Sequence, residues 1–220
     1  VKDEFTMEHG LRYPRGVNFG IKKLYEEKKL NQYDSFFFIT NDTVLEKKKS
    51  IQPLQHLLQK HEKLGILSPS SKEWGENTLL QEESIKYFWF IHSHGYFIRR
   101  EFILDLCDFE QDYISLLFDG NNFRGWGLET ELIAKGYANN WASAITNEVR
   151  MEENQSFLLE KATLIKTERY DENLTLYIEE GKKWMMTKYG FKSKWDMIFY
   201  VKSFYEEFFK KHKSLLKYKI

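Results

Sequence analysis

The stretch Ser35-Phe36-Phe37-Phe38-Ile39-Thr40-Asn41-Asp42-Thr43 decides the fold class. Its apolar residues run without alternation and stop at Asn-Asp, a pair that closes strands because both side chains bond their own backbone. A short continuous run of this kind predicts a strand over 35–40 buried on both faces, as in a parallel sheet. Helical periodicity lies on either side of it. Residues 16–30 place Val17, Ile21, Leu24 and Tyr25 on one side and Lys22, Lys23, Glu26 and Glu27 on the other, and 51–63 repeat the pattern with Pro53 in the first turn, where its missing N–H costs nothing. Gly65-Ile66-Leu67-Ser68-Pro69 is then a second strand, ended by proline. Alternation of strand and helix predicts an α/β domain, a mixed sheet flanked by helices.

The rest of the chain extends this rhythm and then changes it. A polar stretch over 70–83, centred on Trp74-Gly75-Glu76, reads as a loop, and strands follow over 87–92 and 95–99. Helices are expected over 101–107 and 128–137, and a returning strand over 141–146. Beyond Glu152 only helical patterns remain, over 156–164, 173–189 and 194–216, the last opened by Ser193 as a cap. The reading divides the chain into a region of residues 1–152 and a helical C-terminal extension of residues 153–220.

Composition excludes several classes. With 220 residues, 42% hydrophobic and 17% aromatic, the chain can bury one substantial core. Acidic and basic residues number 33 each, which leaves no general field for nucleic acid. A lone cysteine, Cys107, excludes an intramolecular disulfide and points to a reducing compartment, so the chain is expected to be cytoplasmic. No apolar run reaches the roughly 18 to 20 residues of a membrane span. The first residue is Val1, and the opening residues hold no strand of their own, so coding sequence is expected upstream.

Five segments, taken in order, carry a family resemblance: Gly16-Val17-Asn18-Phe19-Gly20, Phe38-Ile39-Thr40-Asn41-Asp42-Thr43, Gly95-Tyr96-Phe97-Ile98-Arg99-Arg100-Glu101-Phe102, Phe118-Asp119-Gly120, and Gly127-Leu128-Glu129-Thr130-Glu131-Leu132. Their succession resembles the family 2 group of GT-A glycosyltransferases, over the chain up to about Thr146. The resemblance implies a Rossmann-like GT-A sheet whose N-terminal βαβ half is missing here. It also implies transfer of a sugar, with inversion, from a nucleotide-sugar donor to a glycan or lipid-linked acceptor in bacterial polysaccharide or glycolipid synthesis.

The candidate site follows from that resemblance and from the chemistry such a transfer needs. A departing diphosphate must be neutralised, and a divalent cation, Mg or Mn, held by a carboxylate at a strand end does so. Asp42 is the candidate ligand, with Thr40 where the family pattern has its first acid. Inversion needs a base opposite the leaving group; Glu129 aligns with the family base and Glu131 with the second acid of that motif, while Leu128 replaces a common first acid. Asn18, Thr40, Asn41 and Arg99 are candidate donor contacts, and Trp126, Trp74 and Glu131 candidate acceptor contacts. His92 and His94 would share one face of a strand. Phe204, Phe208 and Phe209, followed by five lysines, make an end that either rests on the inner face of a membrane or packs as an amphipathic helix. The alternative to an enzyme is a catalytically inactive relative, a binding or scaffolding module, favoured by Thr40, by Ile145-Thr146-Asn147-Glu148 standing where many family members carry a metal-facing histidine, and by the missing first half.

Overall fold

The computed structural model describes residues 11–40, 42–46, 50–72, 76–81, 83–92, 94–154 and 170–220. Its elements in order are α1 (Arg12–Glu26), β1 (Ser35–Ile39), β2 (Thr43–Leu45), α2 (Ile51–Lys60), β3 (Leu64–Ser70), α3 (Glu76–Leu80), β4 (Ile85–Tyr87), β5 (Gly95–Arg99), α4 (Arg100–Leu106), α5 (Leu128–Ala138), β6 (Ala142–Glu153), α6 (Tyr170–Tyr189) and α7 (Lys194–Lys211). Short 3₁₀ turns follow α1 and α7 at Leu30–Gln32 and Lys213–Tyr218. The molecule is α/β, with a mixed sheet of order β1-β5-β3-β6-β2 and β4 paired to β6.

Strand directions set the location of any site. Both β1 and β3 pair antiparallel with β5, and β6 runs parallel to β3. Hence β1, β3 and the first half of β6 point the same way, and their C-terminal ends meet at one edge of the sheet. Ligands of open α/β sheets gather at such an edge.

The first strand departs from expectation. It pairs antiparallel with β5 and holds an end position in the sheet among the described residues. Its three phenylalanines are half-buried and Ile39 is 47% exposed, rather than covered on both faces. An apolar run shows that a segment avoids water, but not which neighbour covers it. The strand expected over 141–146 instead continues to Glu153. The register to β3 jumps from Pro69↔Thr146 to Ser70↔Arg150, so β6 bulges and then carries β2, whose Thr43–Leu45 pair with Met151–Glu153. The strand expected over 87–92 ends at Tyr87. The helix expected over 156–164 lies outside the described residues.

Packing explains two glycines. A Cβ on Gly65 of β3 would lie 2.0 Å from the Phe102 ring, and one on Gly136 of α5 would lie 3.0 Å from it. Phe102, fully buried, fills the slot that both leave open. Nearby Cys107 is buried, and burial pushes its thiol up to about 12, so it is an inert core group.

The C-terminal helices are part of the same core. Trp184, Met185, Met197, Val201, Tyr205, Phe208 and Phe209 belong to one buried cluster with the strands and α5. The Tyr205 hydroxyl donates to the Tyr87 carbonyl at 3.1 Å and to the Ile220 carbonyl at 2.9 Å, closing the chain's end onto β4. Because α5 lies between β6 and α7, it is buried nearly all round. Ser193 forms a capping box with Asp196 at the start of α7. Phe208 and Phe209 are in the core, and Lys210 and Lys219 pair with Glu207 and Glu206. The basic, aromatic end is thus the packed amphipathic helix, and those two rings are not available to a membrane. Among the described residues, no helix is long and apolar enough to cross one.

Candidate functional site

At the sheet edge where β1, β3 and β6 end, the chain turns through Asp42 into β2. Thr40 closes this turn: its N–H donates to the His94 carbonyl at 3.0 Å, and its hydroxyl lies 2.8 Å from that of Thr43, which donates to the same carbonyl. The Thr40 side chain is therefore used in holding the turn. Asp42 is 9% exposed; its backbone carbonyl accepts from Asn154, and its Oδ1 is buried without a hydrogen-bond partner among the described residues. A buried carboxylate oxygen left unpaired costs on the order of 1–3 kcal/mol. Asn41 and Trp74 lie outside the described residues.

The second half of the site starts from glycine chemistry. Gly125 and Gly127 have φ of 93° and 84°, which side-chain-bearing residues rarely adopt. Buried Asn122 holds the loop at both ends, accepting from the Gly125 N–H at 3.1 Å and donating to the Trp126 carbonyl at 2.8 Å. This loop delivers Glu129 in the first turn of α5, where the helix dipole favours an anion. Its carboxylate accepts backbone hydrogen bonds from Gly127 and from its own N–H, yet burial dominates and raises its pKa to about 7. Part of Glu129 stays open to solvent although protein surrounds it closely.

Three phenols face it. Tyr13 of α1, Tyr96 of β5 and Tyr177 of α6 all feel the Glu129 charge. Tyr96 is 1% exposed, and neither its hydroxyl nor that of Tyr13 has a hydrogen-bond partner among the described residues. Glu76 also acts electrostatically on Tyr96; its Oε2 accepts from the Ser71 N–H at 2.9 Å, its Oε1 is buried and unpartnered, and burial raises its pKa to about 7. Tyr96 stands opposite Phe38 and next to Gly95, which pairs with Ile39. Tyr96 thus links the surroundings of Glu129 to the end of β1 that leads into Asp42. Sequence reasoning missed Tyr13, Tyr96, Tyr177 and Glu76. A tyrosine inside the otherwise apolar Gly95-Tyr96-Phe97-Ile98 run was the available signal, since a buried phenol wants a partner.

The remaining candidates have other duties. Glu131, 1% exposed, accepts from the Tyr189 hydroxyl and pairs with Lys188 at 2.7 Å and Lys135 at 3.4 Å. Arg99 sits at the opposite edge, beside Ser35, donating to the carbonyls of Leu64, His61 and Leu58. Asn18 is fully buried and clamps the 114–118 segment, donating to the Phe118 carbonyl at 2.7 Å and accepting from its N–H at 2.9 Å. Trp126 is packed against α6, where a Cβ on Gly181 would come within 2.6 Å of its ring. His92 and His94 stack at 5.5 Å before β5 begins, and burial, with the neighbouring His94, lowers the His92 pKa to about 4. A separate cavity of about 770 Å³ lies between the 119–124 loop and α6, with Phe123, Arg124 and Trp184 in its walls and Glu129 outside it.

Among the described residues, no three His, Cys, Asp or Glu side chains are grouped to hold a metal ion. The unpaired Oδ1 of Asp42 still fits a cation that takes one carboxylate and completes its shell with water and phosphate oxygens, as magnesium does. No family model, curated protein or solved structure matches the chain.

Proposed function

We propose that the protein is an inverting glycosyltransferase with a GT-A-like fold, cytoplasmic, moving a sugar from a nucleotide-sugar donor to the hydroxyl of a glycan or lipid-linked acceptor in bacterial polysaccharide or glycolipid synthesis. The observation that carries this reading is Glu129: a carboxyl in the first turn of α5, partly open to solvent beside three phenols, whose burial raises its pKa to about 7. A general base works best when its pKa lies near the working pH. In the proposed reaction Glu129 takes the proton of the acceptor hydroxyl as that oxygen attacks the anomeric carbon, and the sugar–phosphate bond breaks on the opposite face. Tyr96 and Tyr13, whose hydroxyls have no partner among the described residues, stand beside Glu129. Asp42 Oδ1 would hold a Mg or Mn ion, which supplies charge neutralisation for the departing diphosphate.

Because the base must be ionised, the rate is expected to rise with pH through about 7. The test is titration calorimetry of the protein with UDP-, GDP- and dTDP-sugars, with and without manganese, followed by turnover assays of wild type and Glu129→Gln. Donor binding by both proteins with transfer by wild type alone is the expected result. Equal turnover by the two would remove Glu129 from the chemistry, and binding of sugars without turnover by either would favour the binding-module alternative.

A further inference from the structure

The face of α7 turned away from the core has an unusual composition. Phe199 and Trp195 are 68% and 59% exposed, the highest values for large apolar side chains among the described residues. One helical turn apart, they share a stripe with Lys202, whose ammonium lies 5.4 Å from the centre of the half-buried Trp89 ring in the β4–β5 connection. Lys194 sits 5.6 Å from the Trp195 ring, and Lys192 is exposed just before the helix. The stripe therefore carries three aromatic rings among three lysines.

Acidic groups nearby are engaged. The Asp196 carboxylate accepts the N–H groups of Lys192 and Ser193 at 2.8 and 2.9 Å as part of the helix cap. Glu206 and Glu207, further along α7, pair with Lys219 and Lys210. The first half of α7 thus presents net positive charge around exposed Trp and Phe. Aromatic rings of this kind settle at the headgroup level of a bilayer, and lysines beside them are drawn to anionic lipid. A second copy of the chain is a poorer occupant, because a two-fold contact through this stripe would set lysines against lysines.

We propose that the Trp195–Phe199 face of α7, with Trp89 and Lys192, Lys194 and Lys202, docks the protein peripherally on an anionic phospholipid surface. This surface is distinct from the Phe208–Phe209 end, which is buried, and it stands independently of the chemistry assigned to Glu129. Docking would leave the sheet core unaltered, since none of the apolar residues involved is fully buried.

Sedimentation of the full chain with vesicles of phosphatidylcholine containing about one third phosphatidylglycerol tests it, with pure phosphatidylcholine vesicles as reference. Binding to the anionic vesicles alone is expected. Trp195→Ser combined with Phe199→Ser should weaken it about tenfold or more without moving the thermal midpoint, and glutamines at the three lysines should remove most of its salt dependence. Failure to bind, equal binding to both vesicle types, or undiminished binding by the Trp195→Ser/Phe199→Ser protein would overturn the proposal. So would light scattering that finds a wild-type dimer dissolved by those two substitutions.

Discussion

Two acids of the same helical turn, Glu129 and Glu131, belong to regions built on opposite rules. Around Glu131 every charge is matched: Lys188 joins it to Asp119, Tyr189 and Lys135 complete its shell, and Trp184 donates to Asp119 at 3.0 Å. Burial alone would raise the Asp119 pKa, but the hydrogen bonds from Lys188 and Trp184 outweigh it and hold the group at about 2. Around Glu129 the polar groups are buried without such partners, and its pKa moves the other way. The first arrangement fastens α6 to α5 and the 119–124 loop. The second leaves the hydroxyls of Tyr13 and Tyr96 without a partner among the described residues.

The largest effect that could break this contrast is on turnover. Replacing Glu129 by Gln is expected to cut transfer by roughly 10²- to 10⁴-fold, the usual contribution of a general base, with donor affinity preserved. A similar loss of turnover in Glu131→Gln, at unchanged stability, would show that the two acids are not divided in this way. In stability the order should reverse. Lys188→Met strands the carboxylates of Asp119 and Glu131 and is expected to cost about 2–3 kcal/mol in urea unfolding, toward the lower end for a breached buried pair because Lys188 keeps some exposure.

Asp42→Asn should be milder, weakening metal-dependent donor binding about tenfold while leaving metal-free binding unchanged, as calorimetry would measure. Folding itself should depend on pH. The folded-state pKa of Glu129 is raised from 4.5 to about 7, so its protonation stabilises the fold below the lower value, and that stability is lost as pH rises through about 7. Glu129→Gln should accordingly gain up to about 3 kcal/mol relative to wild type above pH about 7 and nothing below pH 4.5. Asp119 carries the opposite sign: its contribution is present above about 3.8 and disappears as pH falls through about 2.

Much of the scaffold was legible in the chain. The strands at 35–39, 64–70 and 95–99 and the helices α2, α5 and α7 follow from apolar runs, 3.6-residue periodicity and caps such as Ser193, all of which are local signals. β2 was not legible, because Thr43–Leu45 is three residues long and exists only through pairing with the extension of β6. The site was legible as acids near turns. Its phenols were not, since Tyr13, Tyr96 and Tyr177 come from three distant elements and nothing in their spacing announces that they meet near Glu129. Arg99 and Asn18 illustrate the converse: residue types suited to a ligand, which the fold uses to satisfy backbone groups.

By itself, the sequence determined that this chain is an α/β protein, that Gly125 and Gly127 interrupt it ahead of a helix, and that two acids begin that helix. These depend on backbone preference and on the period of apolar residues, which act over a few positions. The tertiary structure alone decided which acid is paired with lysine and which is left without a counter-charge among the described residues. Lys188 lies 57 residues from Glu131 along the chain, and only the return of α6 across the loop brings it to 2.7 Å of that carboxylate and not to its neighbour two positions earlier. Electrostatic pairing depends on distance in space, and no local pattern encodes it.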